Sequence, residues 1–99
     1  MQGLNKPAMN VLNRIKLKIS RGEYEFSRHS LLDKLPLYDF TTDDVLNCVY
    51  TGESVIRQTD DIRGTRYVIL GFALNGAKTE IVCRFIGNKV VFITIYDYE

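Results

Sequence analysis

A chain of 99 residues, 45% hydrophobic and 25% charged, is sized for a single domain spanning 1–99 and is too apolar for intrinsic disorder. A formal net charge of +1 excludes a global field that would draw the protein to polyanions. The charge is uneven, however: residues 1–34 carry seven basic and three acidic side chains (+4) and the remainder is −3, which reads either as a polyanion-facing segment or as a solvated helix face.

The first predicted element is a helix over residues 7–20, with Asn5 as its cap and Pro7 in its first turn. Ala8, Leu12, Ile15 and Ile19 form its apolar stripe, Arg14, Lys16, Lys18 and Arg21 lie mostly off it, and Gly22 closes it. Residues 23–26 alternate polar and aromatic, predicting a short strand with Tyr24 and Phe26 on one face. Ser27 is expected to cap a short helix through His29, Leu31, Leu32 and Leu35, ended by Pro36. A further helix over 43–51 follows, capped by Thr42, with Asp43 and Asp44 in its first turn and Gly52 at its close.

The rest reads as β. Ser54–Gln58 is a strand, 59–64 a polar connection, 65–74 a long β-branched and aromatic run, and Asn75-Gly76 a strong hairpin signal. Lys78–Ile86 returns, Gly87-Asn88 turns again, and 89–98 makes the last strand. Two tight turns between three runs require an antiparallel meander. In the last run Val91, Ile93 and Ile95 alternate with Val90, Phe92, Thr94 and Tyr96; both sets are largely apolar, which predicts a central strand. The fold class is therefore α+β. The expected sheet is twisted and antiparallel, a C-terminal three-stranded meander plus one or two further strands, with the N-terminal and central helices packed on one face.

The inventory of reactive groups is short. One histidine and two distant cysteines make no metal site of known spacing, and no phosphate-cradling glycine loop occurs, so neither metal nor cofactor is expected. Cys48 and Cys83 sit among apolar neighbours and are expected to be buried, reduced thiols. No apolar run approaches the roughly 18 residues of a membrane span and no signal core opens the chain, so the expected address is cytoplasmic, with no membrane partner. What remains is His29, several arginines and several tyrosines. His29 is an acid–base candidate or a structural hydrogen-bonder. Arg66 and Arg84, nine and eight residues from the Asn75-Gly76 turn, come close across the predicted ladder. They would clamp a phosphodiester, or pair with Asp60, Asp61, Glu80 and Asp97. Tyr96 and Tyr98 are proton donors, base-stacking rings or ordinary strand aromatics.

The run Phe26-Ser27-Arg28-His29-Ser30, then Asp43-Asp44-Val45, Tyr50-Thr51-Gly52-Glu53-Ser54-Val55-Ile56, Tyr67-Val68-Ile69-Leu70-Gly71 and Val91-Phe92-Ile93-Thr94-Ile95-Tyr96 resembles an uncharacterised family of short bacterial proteins. Its pattern is aromatic-Ser-x-His, a helix ending in Gly, a strand, and a terminal Ile-Thr-x-Tyr. Such proteins are similar to the RelE-like and MqsR-like messenger-RNA interferases, the toxins of type II toxin–antitoxin pairs. The resemblance implies a RelE-like twisted sheet with helices on one face. It also implies a metal-independent endoribonuclease acting on messenger RNA, free or on the ribosome. The implied partner is a cognate antitoxin, of which a zinc-finger MqsA-like protein is one kind. His29 matches the family histidine and Tyr96 the terminal tyrosine, while Arg57 falls near the place of a catalytic lysine in MqsR-like toxins. Where relatives place an arginine shortly after the histidine, this chain has Asp33 and Lys34. In the implied reaction a base activates the ribose 2′-hydroxyl, cations stabilise the phosphorane, and an acid protonates the departing 5′-oxygen; the base is His29 or a tyrosine. The other reading is a non-catalytic protein-interaction or RNA-binding module on the same fold.

Overall fold

Antiparallel β-hairpins need tight turns, and two of the glycines of the C-terminal half supply them: Gly76 and Gly87 adopt φ of 88° and 63°, values that a side chain disfavours. In the structure of the chain, a computed structural model that describes residues 5–7, 9–60 and 62–97, the strands β4 (Arg66–Phe72), β5 (Lys78–Ile86) and β6 (Lys89–Asp97) follow one another antiparallel. The expected meander is therefore present. It is extended on one side by β3 (Ser54–Gln58) and then β1 (Asn5–Pro7), and on the other by β2 (Tyr24–Phe26).

Three further strands, rather than one or two, complete the described sheet, in the order β1-β3-β4-β5-β6-β2. It is mixed rather than purely antiparallel, because β2 runs parallel to β6. Tyr24 and Phe26 explain that docking. Their rings meet Phe92 at 6.2 and 5.7 Å between centroids, so the short strand adds its aromatic face to the core of β6. As expected, β6 is interior to the sheet, between β5 and β2.

The helices α1 (Met9–Ser20) and α2 (Thr42–Tyr50) cover one face of the sheet. Leu12 and Ile15 of α1 and Val45, Cys48 and Val49 of α2 pack into a core with Val55, Ile69, Ile81, Cys83, Phe92 and Ile95. Asn5 does not cap α1, because residues 5–7 belong to β1, paired with β3; Ala8 lies outside the described residues. Gly22, at φ 74°, does close α1: Gly22 N–H donates to the Ile19 carbonyl and Glu23 N–H to that of Lys18. The cap of α2 is Thr41, one residue earlier than expected. Thr41 N–H donates to the Asp44 carboxylate at 2.7 Å, and the other Asp44 oxygen accepts Leu74 N–H at 2.8 Å, tying the helix start to the β4–β5 turn.

Gly71 decides how closely α2 approaches β4: a Cβ there would collide with the backbone carbonyl of Cys48. Both cysteines are free and buried, and burial pushes each thiol up to about 12. Among the described residues no helix is long and apolar enough to cross a membrane.

Candidate functional site

The face of the sheet away from α1 and α2 is the open one, and strand alternation decides which residues it carries. On β4 the core side takes Tyr67, Ile69 and Gly71, leaving Arg66, Val68, Leu70 and Phe72 opposite. Pairing of Val68 with Val82, and of Ile56 with Val68, puts Glu80 and Val82 of β5 and Ile56 and Gln58 of β3 on that same side. One step beyond the Tyr67–Cys83 pair, Arg66 and Arg84 share it as well.

Simple alternation along β6 would send Thr94 and Tyr96 to the core with Val90 and Phe92. The structure corrects this. Val82 pairs with Thr94 but Cys83 pairs with Phe92, so Ile93 is an extra, bulged residue. Past it the strand has changed sides: Ile95 is fully buried while Thr94 and Tyr96 reach the open face. The bulge is held from outside. Ser27 N–H donates to the Phe92 carbonyl at 2.9 Å and its hydroxyl to the Ile93 carbonyl at 2.7 Å. Ser27 thus spends its hydroxyl on β6 and not on the next helical turn. The Phe26-Ser27 and Ile93-Thr94 motifs, remote in sequence, meet at this pair of bonds.

After Ser27 the chain makes a π-helical turn, Arg28–Leu32, and a 3-10 turn, Leu35–Tyr38. Pro36 lies at the start of the second turn and so does not end the first. Leu31 and Leu35 are the buried anchors, and the side chains between and before them face outward. His29 Nδ1 lies 3.3 Å from Asp33 Oδ2, four residues on, with the imidazole largely solvent-exposed. Lys34 Nζ donates to Thr94 Oγ1 at 3.3 Å and sits 3.6 Å from the centre of the Tyr96 ring. Burial pulls the Lys34 pKa below the ordinary lysine value.

His29, Lys34, Arg63, Thr94 and Tyr96 line one depression. Thr94 and Tyr96 also line a second, with Gln58, Arg66 and Glu80. Arg63 and Ile93 also line a third, with Arg84, Tyr67 and Phe85. Through these shared residues the three adjoin as one channel, mostly on the open face but reaching Tyr67 and Phe85 of the covered side, and it carries four cationic side chains (Lys34, Arg63, Arg66, Arg84) and two carboxylates (Asp33, Glu80). Arg66 Nε donates to Gln58 Oε1 at 2.7 Å, and Arg84 Nη1 donates to the Arg63 carbonyl at 2.8 Å, fastening the segment that leads into β4 to β5.

Of the residues expected from sequence, His29, Arg66, Arg84 and Tyr96 line this channel. Arg57 does not. It pairs with Tyr67 on the helix-covered side, its guanidinium 5.7 Å from that ring, because it is out of phase with Ile56 and Gln58. Tyr98 and Asp61 lie outside the described residues. Asp33 and Lys34 enter the sequence reading only as the residues that stand where relatives have an arginine, and Arg63 does not enter it. The His29–Asp33 spacing of four is a helical signal, but only folding brings Lys34 and Arg63 into the depression that Tyr96 lines. Of the basic N-terminal segment, Lys34 reaches the channel, whereas Arg14 stacks 4.7 Å over Phe85 and Lys18 donates to the Asn88 carbonyl at 2.7 Å. Among the described residues no group of histidine, cysteine and acidic side chains could hold a metal ion.

The class of protein these features define is an α+β domain with a basic channel on the uncovered face of a mixed sheet. Residues 26–97 match a family described as a domain of unknown function, DUF4258, and the chain belongs to it. The matched span begins at Phe26, so it includes the last residue of β2, all of β3 to β6 and the whole channel but not α1. No curated protein and no solved structure matches the chain.

Proposed function

We propose that this protein is a metal-independent endoribonuclease of the RelE-like and MqsR-like kind, the toxin of a type II toxin–antitoxin pair, acting on messenger RNA in the cytoplasm. The observation that carries the reading is the placement of His29 and Tyr96 in one depression with Lys34 and Arg63, continuous with Arg66 and Arg84. An RNA strand supplies its own nucleophile. A base takes the 2′-hydroxyl proton, O2′ attacks phosphorus, the bond from phosphorus to O5′ breaks, and an acid delivers a proton to O5′. The products are a 2′,3′-cyclic phosphate and a 5′-hydroxyl. His29, oriented by Asp33, serves as the base, and Tyr96 as the acid. The channel arginines attract the backbone, and Tyr96 offers the free side of its ring to a base. A cognate antitoxin would inhibit by covering the channel.

A second reading, a non-catalytic RNA-binding or protein-interaction module, is favoured by one observation: Arg66 and Arg84 are already hydrogen-bonded within the protein. Induced expression, scored for growth and RNA integrity, separates the two. The toxin reading expects arrest, with RNA fragments ending in cyclic phosphate, and relief on coexpression of a neighbouring antitoxin gene. A His29→Ala, Arg84→Ala double variant should fold and lose toxicity; if it stays fully toxic, this site is wrong. A wild-type protein that neither arrests growth nor cleaves RNA moves the reading to the binding module.

A further inference from the structure

The arginines of the channel hold the protein together as well as lining it. Arg84 anchors the segment before β4 through the Arg63 carbonyl, and Arg66 braces Gln58 on the neighbouring strand. Lys34 is placed differently. It stands in the chain between the buried anchors Leu31 and Leu35, and its ammonium ends on a hydroxyl, Thr94 Oγ1, and on two aromatic rings, Tyr96 at 3.6 Å and Tyr38 at 5.9 Å. Among the described residues no carboxylate pairs with it: the adjacent Asp33 turns to His29 instead. A cation stripped of part of its water, with aromatic faces and one hydroxyl as its partners, is left with N–H donors and charge to give to an anion. A cation–π contact and a neutral hydrogen bond replace lost hydration only in part, and burial accordingly lowers the Lys34 pKa.

Its position is as informative as its charge. The ammonium touches the ring of one proposed proton carrier, Tyr96, and lines the same depression as the other, His29. In an in-line displacement the non-bridging phosphate oxygens lie between the attacking and leaving oxygens, so a cation that serves them belongs between acid and base. We propose that Lys34 is a catalytic residue, the cation that donates to a non-bridging oxygen of the scissile phosphodiester. This assignment rests on the ribonuclease reading. Lys34 keeps its protons throughout; they neutralise charge on the phosphorane while the 2′-proton leaves to the base and O5′ receives one from the acid.

The test compares the purified protein with Lys34→Met, which keeps a stem to pack on Tyr96 but carries no charge, and with Lys34→Arg, which keeps the charge. Cleavage is followed on a labelled single-stranded RNA. Binding is followed on the same sequence with 2′-deoxy sugars, which cannot react. The expected result is a loss of cleavage of roughly 10²–10³-fold for Lys34→Met, with partial recovery for Lys34→Arg and unchanged thermal melting for both. The slope of log binding constant against log salt should also fall by about 0.7 for Lys34→Met, the signature of one lost phosphate contact on a single strand. A structural strut would show the reverse, with Met tolerated and the salt slope unmoved. If wild type cleaves and Lys34→Met cleaves as fast, the assignment is wrong while the ribonuclease reading stands. If wild type does not cleave RNA at all, the reading falls and takes the assignment with it.

Discussion

Arg66 and Tyr67 are neighbours in sequence and end on opposite sides of one sheet. Tyr67 enters, at its margin, the face that α1 and α2 cover, where Ile69, Ile81 and Cys83 are fully buried. Arg66 enters a face that no helix covers, where polar and charged groups meet along a channel and Tyr96 keeps nearly half of its surface exposed. The difference teaches where information resides in a domain of this size. The covered face is determined by volume and tolerates little change. The open face is determined by which side chains two distant segments, 27–38 and 93–96, bring to one place.

Substitutions should sort by face. The largest loss of stability is expected at Gly71→Ala, where the new methyl group meets the Cys48 carbonyl and α2 must move outward. A cost of about 3 kcal/mol, or a fall in melting temperature on the order of 10–20 °C, should appear in a thermal melt. A change under 1 kcal/mol would mean that α2 sits farther from β4. Asp44→Ala comes next, at about 2 kcal/mol in denaturant unfolding, because both Thr41 N–H and Leu74 N–H lose an acceptor.

The covered face should also show in alkaline titration. Both thiols are held near 12 in the folded protein, against an ordinary value of 9.0, chiefly by burial. Between these values the unfolded chain releases protons that the folded one keeps, so stability is intact below pH 9 and falls as pH rises toward 12. Each thiol contributes a slope of up to about 1.4 kcal/mol per pH unit in that window. Cys83→Ala should flatten the fall between pH 9 and 10; an unchanged slope would show that the thiols are not the cause.

Ser27→Ala should cost about 1 kcal/mol in denaturant unfolding, the worth of its bond to the Ile93 carbonyl. The loss in RNA cleavage should be larger than that stability loss implies, because the bulge aims Thr94 and Tyr96. Smallest in stability are His29→Ala and Tyr96→Phe, within about 0.5 kcal/mol of wild type, with cleavage reduced roughly 10²–10⁴-fold. Should either variant melt well below wild type, the contrast between the faces would be false.

The sequence by itself determined the elements whose causes are local. The Asn75-Gly76 and Gly87-Asn88 turns specify the meander, because their residues suit the backbone of tight hairpins. Gly22 ends α1 through its positive φ. Ser54–Gln58 and Lys78–Ile86 follow from apolar alternation, and their bounds match those read from sequence. Tertiary structure decided everything that depends on a partner distant in sequence. The parallel docking of β2 on β6 required Phe92 to meet Tyr24 and Phe26. The bulge at Ile93 overrode the alternation that placed Thr94 and Tyr96 with Phe92, because one extra residue inverts the phase of all that follow. Arg57, which the resemblance set near the place of a catalytic lysine, went to the covered side because phase on β3 is set by pairing with β4. Lys34 is legible only as a cation close to the place of the family's arginine. Leu31 and Leu35 anchor its turn in the core, and in that setting its ammonium lies over the Tyr96 ring of β6.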